Sequence, residues 1–384
     1  MDIDYLPEHL EYKRTVDRFV AEQVRPALEK YDFDSPMSRE QVHQAWDELR
    51  RRGPLDEVPR DDQGRIDYQA VGILLESLAY GNASLAFICI TSLIFPAMLL
   101  ESLTGEQKSA YGHLFEPGQI ISVAVSEPGA GSNPGEMRTV ARKVGDGWVV
   151  SGTKLWSSGA DHSDGLMLTC LIDEGNGSRP TMGQLLLDRA RSPYATRQIE
   201  TIGLRAHSLC EIVFDEVHVP ADARISADAA DKNALQLTFQ KGRLKMAAIA
   251  VGMAQRALDL SLAYAKERTQ FGRPIASFQL VQELLAQMYT EVTLGRLATQ
   301  QGFRIVQRGL PAAKETSMAK AFTTEMCLRV ANMGVQVHGA MGLSKETEIE
   351  TIARNARMMT IPDGTTQIHT LIIGRDLTGL SAMA

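Results

Sequence analysis

The spacing of apolar residues changes twice along the chain. From residue 9 to about 118 it is helical. Val16, Phe19, Val20, Val24 and Leu28 form one stripe of a helix that Pro26 is expected to bend. Further helices are predicted around 39–52, 67–80 and 83–101, divided by breaks such as Gly53-Pro54 and Asp61-Asp62-Gln63-Gly64. From about 119 to 225 the period becomes two. Ile121–Val125, Gly147–Val150, Leu166–Ile172 and Leu185–Leu187 read as strands, and Ile212, Phe214, Val217 and Val219 alternate with polar residues before Pro220. From about 233 the helical period returns, first in a helix from near Asn233 to about Arg268 that is long enough to span a domain. Met318, Phe322, Met326, Val330, Met333 and Val337 then step by 4, 4, 4, 3 and 4, which places them on one face. Short breaks at Gly272-Arg273-Pro274 and Gly309-Leu310-Pro311 predict an antiparallel bundle. The fold class expected is α+β in three units: helices over 1–118, a β domain over 119–225 and a helical bundle over 226–384.

One segment needs separate treatment. No charge falls between Glu76 and Glu101, and residues 83–100 are apolar enough to approach a membrane span. Pro96, Ser84, Thr91 and Ser92 interrupt the run, and no basic residue flanks it, so a helix buried on all sides is the expectation.

Composition narrows the function. The 384 residues carry 40 Lys and Arg against 47 Asp and Glu, a formal charge of −7, with no basic run to meet nucleic acid or an anionic membrane. A small-molecule ligand is expected instead. Cys89, Cys170, Cys210 and Cys327 are scattered, which predicts reduced thiols; with no CxxC and no HExxH, no metal site is expected. Met1-Asp2-Ile3-Asp4 is acidic where a targeting segment needs positive charge, so a cytoplasmic protein is expected.

Five motifs follow one another in this frame. They are Val125-Ser126-Glu127-Pro128-Gly129-Ala130-Gly131-Ser132-Asn133, a strand-like segment from Trp148 to Gly159 holding Trp156-Ser157-Ser158, Arg268-Thr269-Gln270-Phe271-Gly272-Arg273-Pro274-Ile275 with Phe278-Gln279, Gln336-Val337-His338-Gly339, and Asp363-Gly364-Thr365-Thr366-Gln367. The first is a Gly-rich turn after a strand, able to present backbone N–H groups, but it is not GxGxxG and no helix follows it. Together, over nearly the whole chain, the motifs resemble the acyl-CoA dehydrogenase family. The resemblance implies an N-terminal all-α domain, a central β-barrel-like domain and a C-terminal four-helix bundle. It also implies FAD, a homo-oligomer that is a dimer or homotetramer, and an electron-transfer flavoprotein as electron acceptor.

The same resemblance implies roles for particular residues. Ser126, Ser132, Trp156 and Ser158 would meet the flavin within one subunit. Arg268, Phe271, Gln279, Gln336 and Gly339 would reach FAD bound mainly to a neighbouring subunit, and Thr365 and Gln367 would close the cofactor site. Ser132, Arg243 and Arg375 match positions that approach a CoA thioester. The catalytic base is where the chain departs from the pattern. Relatives carry Glu in Tyr-Glu-Gly-Thr, whereas here the string is Ile361-Pro362-Asp363-Gly364-Thr365. A second site used by some members, before an Arg on the long bundle helix, is Gly242 before Arg243. Asp363 is therefore the expected base, removing the α-proton of an acyl-CoA or acyl-carrier-protein thioester from within an apolar pocket, while the flavin takes the β-hydride. Pro-Asp-Gly also suits a type I turn in which Asp363 has no catalytic part. Two other readings stay open: a flavin oxidase or oxygenase resembling nitroalkane oxidases, and a non-catalytic flavoprotein subunit. No Arg lies in 86–100 to hold a distal carboxylate there.

Overall fold

The computed structural model describes residues 5–225 and 230–382, excluding the side chains of 230–239. The first helix, α1 (Pro7–Phe19), passes through a π-helical turn, Val20–Val24, into a short piece, Arg25–Ala27. Then come α2 (Arg39–Arg50), α3 (Tyr68–Gly81), α4 (Ala83–Ser102) and α5 (Gly105–Tyr111). Side chains cap the starts of α2, α3 and α5. Ser38 and Thr104 form capping boxes with Gln41 and Gln107, and Asp67 accepts from the N–H groups of Gln69 and Ala70. Pro26 does not simply bend its helix, because a π turn precedes it. Helix α4 repeats the arrangement, with a π turn at Ile90–Ile94 just before Pro96. A proline ring clashes with the carbonyl four residues back, and the wider turn relieves that clash at the same offset in both helices.

Of the apolar window in α4, 83% is buried, and Phe87, Ile88, Leu93 and Ile94 lie in the core as the sequence leads one to expect. Among the described residues one further stretch, Gln240–Glu267, is long and apolar enough to cross a membrane, and 67% of its window is buried.

Eight strands form the central sheet: β1 (Ile121–Ala124), β2 (Val140–Val144), β3 (Gly147–Ser158), β4 (Gly165–Asp173), β5 (Thr181–Asp188), β6 (Ala195–Ile199), β7 (Leu209–Val219) and β8 (Arg224–Ile225). Their order is β6-β7-β3-β2-β4-β5-β8, with β1 parallel to β4. The apolar parity of β7 switches between Phe214 and Val217. The register slips there: Val150 pairs with Val217 but Gly152 with Phe214, and Glu216 takes a φ of 49°. A bulge of this kind rotates the strand so that Phe214 and Val219 are both buried.

The bundle comprises α6 (Ala230–Glu267), α7 (Gln279–Gln307), α8 (Ala313–His338), α9 (Glu348–Met359) and α10 (Thr366–Thr378), with a two-stranded hairpin, β9 (Thr269–Gln270) and β10 (Arg273–Pro274), between α6 and α7. Helix α8 packs against all four of the others. The stripe expected along α8 is only partly buried: Met326, Val330 and Val337 are in the core, but Met318 is 45% exposed. Near that end the buried positions are Thr316, Ser317, Ala319 and Lys320, because α8 is enclosed on several sides there.

Candidate functional site

The β-domain loop is held by a buried ion pair. Lys154 on β3 donates to a Glu127 oxygen at 2.8 Å and to the Val125 carbonyl at 2.8 Å. Glu127 also accepts from the backbone N–H groups of Arg138 and Thr139. Burial opposes charge on both partners, yet the Lys154 ammonium and these hydrogen bonds leave the Glu127 carboxyl below its usual range, whereas burial lowers Lys154. So anchored, the turn from Glu127 to Ala130 closes on itself and Leu155 N–H donates to the Ser126 carbonyl. Opposite it, β3 bulges: Trp156 adopts a φ of 65° and presents an indole that is 54% exposed. Beside it the Ser157 hydroxyl is buried and lacks a hydrogen-bond partner. Ser122 Oγ donates to the Ser158 carbonyl and fixes the end of the strand. Ser132 is exposed on the Gly-rich turn.

The second group gathers at one end of the bundle. The hairpin loop Phe271-Gly272 has positive φ at both positions, 51° and 76°, the geometry of a tight two-residue turn. It leaves Phe271 92% exposed, its ring edge-on to Phe278 at 6.0 Å. Tyr264 near the end of α6 stacks on His338 at the end of α8, with centroids 4.3 Å apart. That stack brings Arg268 and Phe271 to the end of the bundle that bears Gln336 and Gly339, and Gln279 follows Phe278 at the start of α7. Arg268, Gln279, Gln336 and Gly339 are all exposed.

The third group surrounds Asp363. Its loop joins α9 to α10, and Thr365 caps α10 by accepting from the Ile368 N–H. The turn is not type I. After Pro362, Asp363 takes a φ of 54° and Gly364 one of 99°, so an aspartate occupies a conformation that favours glycine. The chain supports that conformation from below. Lys320 on α8, fully buried, donates to the Thr360 carbonyl at 3.1 Å and to the Gly364 carbonyl at 2.7 Å. Across from the loop lies Gly242 on α6: a Cβ there would sit 3.0 Å from Asp363 Oδ2 and 3.4 Å from its Cγ. The two positions that the sequence offered for a carboxylate thus face each other, and the absent side chain at Gly242 makes room for the carboxylate of Asp363.

Cations line the site where an apolar surround was expected. Arg243 donates to Ser317 Oγ at 3.1 Å, and its Nε is buried and unpartnered. Burial pushes Arg243, Lys245 and Lys320 down, the two lysines to about 8, while the Asp363 carboxylate opposes that shift in each case. His369, fully buried with neither ring nitrogen partnered, would meet a Gly364 Cβ at 3.0 Å; burial, then the Lys320 and Arg243 charges, push it down to about 3, so it is neutral. Arg375, exposed on α10, is within electrostatic reach of Arg243, and Gln367 is exposed two turns earlier. Sequence reasoning missed Lys245, Lys320 and His369. The available signal was charge inside apolar runs, as in Leu244-Lys245-Met246-Ala247-Ala248-Ile249.

The second and third groups stand apart within one chain. Lys320 and Gln336 lie on the same helix, 16 residues apart by their numbers, or about 24 Å at 1.5 Å per residue.

Comparison with known proteins adds the family. The chain matches the acyl-CoA dehydrogenase N-terminal domain over residues 6–113, the middle domain over 122–217 and the C-terminal domain over 233–378. It is 31% identical over 387 residues to Probable acyl-CoA dehydrogenase YngJ of Bacillus subtilis (strain 168), covering 98% of this chain and 100% of that protein. It is 29% identical over 377 residues to the mitochondrial short/branched chain specific acyl-CoA dehydrogenase of Rattus norvegicus, covering 97% and 86%. Among solved structures, glutaryl-CoA dehydrogenase from Mycobacterium smegmatis superimposes with a TM-score of 0.87 at 26% identity, covering 100% of this chain and 98% of that one.

Proposed function

Since the chain belongs to the acyl-CoA dehydrogenase family, an FAD-dependent family of oxidoreductases, we propose that it converts an acyl thioester to the 2-enoyl thioester with Asp363 as the base. The observation that supports this most is the contact between Asp363 and Gly242, which leaves one carboxylate where the family has two possible places for it. The Asp363 side chain is one methylene shorter than Glu, and the unusual φ of its backbone together with the missing Gly242 side chain sets where that carboxylate can reach.

The residues suited to FAD fit a flat ring and its polar edge: the exposed Trp156 indole, the unpartnered Ser157 hydroxyl, Ser126 and Ser158. When bound, FAD supplies the acceptor for the β-hydride. Asp363 takes the α-proton on its carboxylate. Lys320 keeps the loop in the conformation that aims that carboxylate, and Arg243, with Arg375 beyond it, offers positive charge to the anionic parts of the thioester carrier. The exposed set Arg268, Phe271, Gln279, Gln336 and Gly339 serves the cofactor of a neighbouring subunit, so a homo-oligomer is the active form; its separation from the Asp363 loop along α8 is the reason. Electrons pass on to an electron-transfer flavoprotein.

The test is anaerobic mixing of purified protein with a panel of acyl-CoAs while the flavin absorbance is followed. Asp363→Asn should retain its flavin and fold but slow flavin reduction by at least ~100-fold, the low end for loss of a general base. Reduction at the wild-type rate would remove Asp363 from the mechanism.

A further inference from the structure

Lys245 is a buried lysine whose ammonium bonds no described residue, though the Asp363 charge lies within its reach. It is 6% exposed, and it makes no hydrogen bond or ion pair among the described residues. The contrast with its neighbours is direct: Lys320 donates to two carbonyls and Lys154 to a carboxylate and a carbonyl. A buried ammonium without a bonded partner is costly, and an anion brought beside it removes part of that cost.

Its position says which ligand. Lys245 follows Gly242 by three residues on α6, so the two share a face and their Cβ positions are about 5–6 Å apart. Gly242 is the residue against which the Asp363 carboxylate rests, and Asp363 is within electrostatic reach of Lys245. One turn earlier Lys241 lies over the Tyr68 ring at 4.6 Å; two turns later Gly252 abuts the Glu76 carbonyl of α3. Lys245 therefore lies on the face of α6 that runs between the Asp363 loop and α3. Gln240 Oε1 and Arg243 Nε, on the same stretch of α6, are fully buried and unpartnered.

We propose that Lys245 is the specificity residue for an acyl chain carrying a carboxylate beyond the reacting carbons, so that the substrate is the thioester of a dicarboxylic acid. The inference rests on the dehydrogenase reading and deepens it by naming the acyl class. Segment 86–100 contains no cation that could do this, and Lys245 supplies one from a different helix. A charge-assisted contact of this kind changes discrimination about 10- to 100-fold.

The experiment compares matched pairs in anaerobic stopped-flow flavin reduction with the holoenzyme: glutaryl-CoA against pentanoyl-CoA, and adipyl-CoA against hexanoyl-CoA. Wild type should favour the dicarboxylic member of at least one pair tenfold or more in kcat/KM. Lys245→Met should lose that preference while holding or improving the rate with the neutral partner, and Lys245→Arg should keep part of it. A wild-type preference for the neutral members, or an unchanged ratio in a folded, flavin-loaded Lys245→Met, overturns the Lys245 assignment and leaves the dehydrogenase reading standing. If Lys245→Met does not fold, the wild-type ratios decide alone. Absence of bleaching with every thioester in a wider panel overturns the dehydrogenase reading, and this assignment with it.

Discussion

Replacing Gly242 by alanine separates the geometry of the base from the stability of the helix that faces it. The added Cβ would lie 3.0 Å from Asp363 Oδ2, whereas ordinary contact begins at 3.4 Å, so the carboxylate has to retreat by about 0.4 Å, the difference of the two. Asp363 is exposed and its side chain can make that movement. If a displacement of 1 Å costs about 100-fold in a positioned reaction, then 0.4 Å costs about sixfold. The backbone responds in the opposite direction, since alanine inside a helix is favoured over glycine by about 1 kcal/mol. Gly242→Ala should thus reduce its flavin about sixfold more slowly than wild type, with unchanged flavin content and a melting temperature equal or higher. Single-turnover flavin reduction at saturating substrate and a thermal melt of the same preparation read both quantities. A rate within twofold of wild type would refute the idea that Gly242 sets the position of the base. A fall in rate accompanied by loss of flavin or of melting temperature would show general damage and refute it equally.

Other outcomes follow from the same contacts. Lys320→Met strands two carbonyls that the ammonium now satisfies, at about 1–3 kcal/mol each where no water reaches them; melting temperature and flavin-reduction rate should both fall, and an unchanged rate would deny the lysine its positioning part. Arg268→Ala should weaken FAD retention during gel filtration without shifting the thermal unfolding of the flavin-free protein, whereas a fully flavin-loaded, strictly monomeric wild type would rule out a shared cofactor site. Stability should rise between pH 8 and about 9.5. Lys245 and Lys320 have folded values of about 8 against 10.5 unfolded, so in that window the unfolded chain binds protons the folded one lacks. Below pH 8 both lysines are charged in either state and their penalty is fully present, up to ~3 kcal/mol each. Denaturant midpoints at pH 7.5 and 9.5 measure the slope, which Lys245→Met should flatten.

The sequence by itself determined the order of units and much of their local structure. The change from helical period to period two and back depends on residues a few positions apart, where spacing alone decides which face each side chain joins. It also exposed Asp363 as the odd residue in a motif. Tertiary structure decided what that residue meets. Gly242 and Asp363 are in contact though far apart in the chain, and no local pattern states that α6 lies against the loop before α10. The turn at Asp363 departs from type I, and Lys320, reaching from a third element, ties the loop on either side of it at Thr360 and Gly364. Apolar periodicity could not foresee the lysines either, since a charge within a core stripe reads as an exception until packing shows one bonded to two carbonyls and the other without a bonded partner among the described residues.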